Sequence, residues 1–456
     1  MKTSLLNDLH SSNPDFARSD STPAVVGEIE QFLQDTIAQL TPDLEDDRQD
    51  VRGRPRILPS MCLWAGLLVC VLRGFHSQLA LWRLISKRQL WFYPRFPVSD
   101  QAVYKRLQAE GTATMERLFE HISMVLRQRL VPFADIDLAP FAKEVVALDQ
   151  SHLDKVARTL PALRGVPPGD DRLLPGVLGC LFDLRLQQWR RVAYHSEPRQ
   201  NEKLAARELV EGLPPGSLVL ADLGYFGFAW FDALTDQGYF WVSRVRAKTS
   251  YKIIQVFYQQ GQVFDGLVFL GAYRADRAAH AVRLVQFEVG STTYRYISNV
   301  LDPRLLPIPE IARLYARRWD IELAFKLVKT QLGLHLLWSA KTVVIMQQVW
   351  AVLIISQVLG AMRLEIAGRA GVDIFEVSLP LLVQYLPQYA YSGDDPVAAF
   401  VEQGRFLRFI RPSRRTQIQA PDPPWEQMTP LPPELVLVRQ ARYAGRNSGP
   451  RSAKKN

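Results

Sequence analysis

The order of apolar and polar positions divides the chain into three kinds of segment. Apolar residues recur at helical spacing in Val25–Leu40, Pro59–Phe75, Gln78–Leu90 and Met115–Val131. Ser99 has the form of an N-cap for a short helix, Asp100–Glu110. The pattern changes after Lys143. Val145–Leu148 reads as a short strand ending at Asp149, Gly176–Leu184 and Trp189–His195 as a hairpin, and Leu218–Ala221 as a strand ending at Asp222. Helices are predicted from Glu202 to about Leu209 and over Phe228–Gln237, and Tyr239–Val242 is a strand ending near Arg244. Alternating segments follow at Ile253–Tyr258, Gly266–Tyr273, Ala281–Val289 and Thr292–Ile297, which reads as an inserted, mostly antiparallel β region. Helical patterns return in Ile311–Thr330, Val343–Met362, Ala370–Leu386 and around Pro396–Ile410.

These elements predict a mixed α/β sheet covered by helices, with helical regions on either side. The domains expected are a helical amino-terminal DNA-binding region at 1–135, with a disordered leader at 1–23, and a catalytic core split into 136–246 and 308–365. A β-rich insertion at 247–307 and a helical carboxyl-terminal region with a basic tail at 366–456 complete the division.

Composition narrows the class. The 456 residues are 48% hydrophobic and 22% charged, as in an ordinary soluble protein, and the net charge is +9. Three cysteines make neither a disulfide framework nor a zinc spacing, which favours a reducing compartment. No signal-peptide core is apparent at the start. Val343–Met362 has no formal charge, but Gln347, Gln348, Ser356 and Gln357 within it favour a buried core helix over a membrane span. Arg52-Gly53-Arg54 follows an acidic patch and has the form of a minor-groove-binding segment, or of a plain basic loop. Beyond Glu434 the tail carries only basic charges and suits a polyanion.

The chemistry concentrates on the predicted helix Ile311–Thr330. At about 100° per residue, Tyr315, Arg318, Glu322 and Lys329 fall at roughly 0°, 300°, 340° and 320°, one narrow stripe beside the apolar stripe of Leu314, Ile321, Ala324, Phe325 and Val328. A solvated face with i,i+4 charge pairs would show the same pattern. Asp149 and Asp222, however, stand at the carboxyl ends of apolar strands, where open α/β sheets place ligands. Three carboxylates from two strand ends and a facing helix can hold two divalent cations for in-line phosphoryl transfer, one activating the nucleophile and one stabilising the leaving oxygen. Mg²⁺ suits all-oxygen donors.

The spacing Tyr315-x2-Arg318-x3-Glu322-x6-Lys329 resembles the Tyr-Arg-Glu-Lys signature of bacterial DDE transposases of the IS-four insertion-sequence family, the Tn-five transposase group. Asp149 and Asp222, the latter followed by Tyr225 and Phe226, resemble that family's two catalytic aspartates. The likeness covers roughly residues 50–365. It implies an RNase H-like catalytic core with a β-rich insertion, and catalysis and metal binding by Asp149, Asp222 and Glu322. Two Mg²⁺ ions are implied, for which Mn²⁺ can substitute. The implied reaction is cleavage at inverted transposon ends and strand transfer into target DNA by a homodimer in the bacterial cytoplasm, at the nucleoid, with hairpin ends as a common route.

DNA contacts are expected from Tyr315, Arg318, Lys329 and Arg244, and from Arg52 and Arg54. Leu223 stands where family members often carry Arg. No tryptophan occurs between Trp241 and Trp319 to stack on a flipped base, which leaves Tyr251, Phe257, Tyr258 or Tyr273 for that role. The alternatives are a domesticated, non-catalytic DNA-binding protein, or an RNase H-like nuclease without strand transfer.

Overall fold

In the computed structural model, the structure describes residues 24–46, 57–153, 161–167, 170, 172–173, 176–197, 202–272, 276–392, 395–413, 415 and 417–432. Arg52, Arg54, Tyr273 and the basic tail lie outside them.

All nine described strands join one sheet, in the order β3-β2-β1-β4-β5-β9-β8-β7-β6. The first five are β1 (Val145–His152), β2 (Val177–Asp183), β3 (Gln188–His195), β4 (Leu218–Ala221) and β5 (Phe240–Arg244). The other four are β6 (Tyr251–Gln260), β7 (Val263–Leu270), β8 (Ala281–Val289) and β9 (Thr292–Ser298). β4 runs parallel to β1 and to β5, and every other pairing is antiparallel. The alternating segments after residue 247 are therefore not a separate layer. They extend the core sheet through the β5–β9 ladder. A fully buried pair, Arg283 with Asp265, ties β8 to β7 at 2.7 Å, and the Arg283 guanidinium also donates to the Leu306 carbonyl.

Strand alternation gives the sheet two cores. Val145, Ala147, Leu218 and Leu220 pack on one face into the larger, mostly helical body. Val146, Leu148, Val219 and Ala221 pack on the other, against two helices, α6 (Glu202–Val210) and α7 (Phe228–Asp236). The helical body begins with α1 (Ile29–Asp46), α2 (Ser60–Leu72), α3 (Gln78–Lys87), α4 (Asp100–Glu110) and α5 (Ala113–Arg129). Ser99 caps α4, its hydroxyl accepting from the Ala102 N–H at 3.2 Å.

The segment Ile311–Thr330 is not the single helix its pattern predicts. It contains most of α8 (Ile308–Arg317), then α9 (Trp319–Lys326), then a π-helical turn over Leu327–Gln331. A π turn adds a residue to the turn, so Lys329 is rotated away from the angle an uninterrupted α-helix gives it.

Next comes α10 (Thr342–Ala370), eight residues longer at its carboxyl end than the apolar run alone suggests. It ends where Gly371 takes a left-handed φ of 61°, which is why Ala370–Leu386 is not one helix. α11 (Leu379–Ser392) and α12 (Pro396–Gln403) follow; α12 stops seven residues short of Ile410. α10 is long and apolar enough to cross a membrane, yet 89% of that window is buried inside the protein. Its polar residues fit that position. Gln357 exchanges hydrogen bonds with both backbone groups of Trp189 at 2.7 and 3.0 Å, and Ser356 accepts from the Trp189 indole at 2.8 Å.

Candidate active site

In the parallel β1–β4 ladder the last paired positions are Leu148 and Ala221. Asp149 and Asp222 are therefore the next residues of neighbouring strands, at the same end of the sheet. By alternation both belong to the face that carries Ala147 and Leu220, the face that α9 covers by packing on β1 and β2. Glu322 comes from α9, and Arg318 joins α8 to α9. The tertiary fold thus brings residues from three distant stretches of sequence to one point.

Their electrostatics register the meeting. Burial pushes the Asp149 carboxyl up to about 6. The Gln150 N–H, which donates to it at 2.8 Å, and the Arg318 guanidinium oppose that shift, while the negative charges of Glu322 and Asp222 reinforce it. Asp222 is exposed, and Glu322 keeps 34% of its side chain accessible.

Arg318 is at the centre of the group, with only 4% of its side chain exposed. Its Nη2 donates to Glu322 Oε1 at 2.8 Å, and its guanidinium carbon lies 5.8 Å from the centre of the Tyr315 ring. Among the described residues its buried Nε has no hydrogen-bond partner. Tyr315 is also buried, and desolvation raises its phenol above the usual range, against the pull of Arg318. The stripe is therefore not a solvated helix face.

Arg244 is exposed at the end of β5 and acts electrostatically on Tyr315. Lys329, carried by the π turn, has its ammonium 5.7 Å from the Phe325 ring centre. Both it and Asp149 act on the buried Cys180 thiol, which is paired in register with Asp149. Of the aromatic residues considered for base stacking, Phe257 is 1% exposed and belongs to the core, Tyr258 is half-buried, and Tyr251 is 39% exposed at the start of β6.

Sequence pattern alone does not single out the adjacent residues Arg317 and Asp320. They form a second charge cluster with Asp135 and Arg415, packed behind Glu322. Their i,i+3 spacing looks like any surface pair, and only burial distinguishes it.

Among the described residues no group of three or more His, Cys, Asp or Glu side chains stands close enough to hold a metal ion. The donor set itself suits a hard divalent cation, because it is all carboxylate oxygen and the acids repel one another without one. Glu322 is turned to Arg318.

Comparison with known proteins agrees with this geometry. Residues 172–358 match the family described as the transposase DDE domain, a segment that includes Asp222, Tyr315, Arg318, Glu322 and Lys329 and begins after Asp149. The chain is 21% identical over 372 residues to the transposase for insertion sequence element IS231F of Bacillus thuringiensis subsp. israelensis, covering 66% of this chain and 73% of that one. Among solved structures it is similar to the piggyBac transposase synaptic complex with hairpin DNA, at 10% identity and a TM-score of 0.39, covering 85% of this chain and 84% of that one. In its matched segment, and in its likeness over 372 residues, the chain is similar to bacterial insertion-sequence DDE transposases.

Proposed function

We propose that this chain is a cut-and-paste transposase that cleaves inverted DNA ends and joins them to a target, with Asp149, Asp222 and Glu322 as its acidic centre. One observation carries the reading. Two aspartates stand just past the last paired positions of the parallel β1–β4 ladder, on the face where α9 presents Glu322, and a buried arginine with an unsatisfied N–H lies among them. The half-sheet β3-β2-β1-β4-β5, three antiparallel strands followed by two parallel ones, supports an RNase H-like core.

Asp149, Asp222 and Glu322 would hold divalent cations, Mg²⁺ or in its place Mn²⁺, two per site. Bound there, the ions supply an activated oxygen nucleophile and charge stabilisation at the leaving oxygen. The chain's own groups do the positioning. Arg318 has a buried, partly unsatisfied guanidinium whose planar donors match phosphate oxygens, so an arriving phosphodiester can take the place of Glu322 as its partner. Release of Glu322 and capture of phosphate are then the same exchange. Lys329 and Arg244 add positive charge near this group, and the Tyr315 ring lies beside the Arg318 guanidinium. Double-stranded DNA, a homodimer that pairs two ends, and the bacterial cytoplasm at the nucleoid belong to the same reading. So does a hairpin route with Tyr251 as the exposed aromatic residue.

The test uses linear DNA carrying the sequences that flank this gene, incubated in Mg²⁺ with wild type, Asp149→Asn, Asp222→Asn and Glu322→Gln. End-specific cuts that vanish in all three variants are expected, and a hairpin product on denaturing gels would establish the route. Tight end binding without cleavage by wild type, in Mg²⁺ or Mn²⁺, would instead identify a non-catalytic DNA-binding protein.

A further inference from the structure

One turn beyond Asp222 the chain builds a second feature, which the acidic centre does not use. A 3₁₀ turn, Leu223–Tyr225, carries the backbone from Asp222 to Phe226. Phe226 borders a cavity of about 340 Å³ whose wall includes Lys203, Arg246, Lys248, Thr249 and Asp276. Lys203 comes from α6, Arg246 and Lys248 follow β5, and Asp276 lies in the β7–β8 connection. The cavity therefore lies in the seam between the core half of the sheet and the strands added to it. It is a cleft with three cations against one acid.

Local detail shows that the cleft is shaped for its charges. The Lys203 ammonium donates to the Phe226 carbonyl at 2.9 Å. It can do so because residue 227 is glycine: a Cβ there would lie 2.8 Å from Nζ. The Arg246 guanidinium sits 5.3 Å from the centre of the Phe226 ring, which Phe228 and Phe231 pin edge-on. Arg244 ends β5, Arg246 and Lys248 follow it into a turn that the Thr249 N–H closes on the Arg246 carbonyl at 2.9 Å, and all three are exposed, so positive charge continues from the end of β5 to the cleft. Three cations around one cleft, a few residues along the chain from Asp222, fit one ligand chemistry, the phosphates of a nucleic-acid backbone.

We propose that Lys203, Arg246 and Lys248 hold backbone phosphates of the DNA that leaves the acidic centre past Asp222, several nucleotides from the reacting phosphate. The inference rests on the transposase reading above and adds to it a track for the DNA beyond the cut. Asp276 limits the affinity of that track.

Binding in chelator tests the track without requiring catalysis. Fluorescence anisotropy of the full chain with a labelled 20-base-pair duplex, and separately with its single strand, would be followed across a salt series. Because Lys203 also bonds the backbone, the surface pair Arg246→Ala/Lys248→Ala is the primary variant. Its log-affinity against log-salt slope is expected to fall by about 1.8 on duplex, or about 1.4 on a single strand, and the larger change identifies which form the cleft holds. Asp276→Asn should tighten binding several-fold, and Arg405→Ala, an exposed cation away from the cleft, should leave the slope unchanged. A wild-type slope in the double variant, or an equal fall in Arg405→Ala, overturns the proposal. If Glu322→Gln still cut DNA while the double variant lost its slope, the acidic-centre reading would fall and the track would stand.

Discussion

Two arginine–acid pairs lie side by side where α8 meets α9, and they differ in how completely their charges are answered. Arg317 and Asp320 face inward. Arg317 donates to Asp320 at 2.7 Å, to Asp135 at 2.8 Å and to the Leu184 carbonyl at 2.7 Å. Asp320, with none of its side chain exposed, also accepts from Gln187 at 2.9 Å and lies 2.8 Å from Arg415. Arg415 in turn sits 4.2 Å over the Phe375 ring and donates to the Ala316 carbonyl.

Arg318 and Glu322 face the strand ends. They share one 2.8 Å bond, Glu322 is a third exposed, and the Arg318 Nε is unanswered among the described residues. The first cluster pairs every charge, although Asp320 Oδ1 and Arg415 Nη1 meet as an ion pair and not as an aligned hydrogen bond, and it holds the segment after α12 against α8 and α9. The second keeps unused bonding capacity beside two other acids, which is the condition of a site made to receive something.

Substitutions in the two clusters should therefore fail in opposite ways. The largest effect expected is in Glu322→Gln, with DNA cleavage down by at least about 10³-fold while chemical stability moves by less than about 1 kcal/mol, because the amide oxygen still accepts from Arg318 and residue 322 is a third exposed. Asp320→Ala should do the reverse, losing about 3–5 kcal/mol in urea unfolding because it strands buried arginines. Equal loss of stability in both variants would erase the distinction.

A smaller, pH-dependent effect is expected at Asp149. Its carboxyl titrates near 6 in the folded chain against an ordinary 3.8, so the folded state is favoured with the proton on. The handicap is absent below about pH 4, grows between the two values and is complete above about pH 6. In metal-free protein Asp149→Asn should then be more stable than wild type at pH 7.5, by on the order of 1–2 kcal/mol after allowance for partial exposure, and no more stable at pH 4. A stabilisation that persists at pH 4 would mean that burial of the charged carboxylate is not its cause.

The smallest change is expected in Arg318→Ala. Its DNA affinity should lose about 0.9 from the salt slope, for one phosphate contact. An unchanged slope would leave Arg318 as a holder of Glu322 alone.

Much of the site is legible in the order of residues. The strand end at Asp222 can be read because the apolar run stops there; at Asp149 the apolar run also stops, but β1 continues to His152 through its pairing with β2. Tyr315, Arg318, Glu322 and Lys329 stand out because four chemistries share one stripe. The π turn is not legible, since Leu327–Gln331 carries no proline or glycine to announce it. Neither is the role of Gly371, since a lone glycine near a helix end either caps the helix or is tolerated within it.

The sequence by itself determined most of the helices and strands, which faces are apolar, and which residues are candidates for the chemistry. Those are local properties, set by side-chain periodicity and covalent geometry. Only the tertiary structure decided that Asp149 and Asp222 follow the last paired positions of adjacent parallel strands, and that Arg318 is buried against Glu322 while Arg317 closes a different cluster. It also decided that the later strands continue the same sheet and leave a basic cleft at the seam. These depend on strand order and on burial. Both arise from contacts between residues far apart in the chain, and one-dimensional spacing does not encode them.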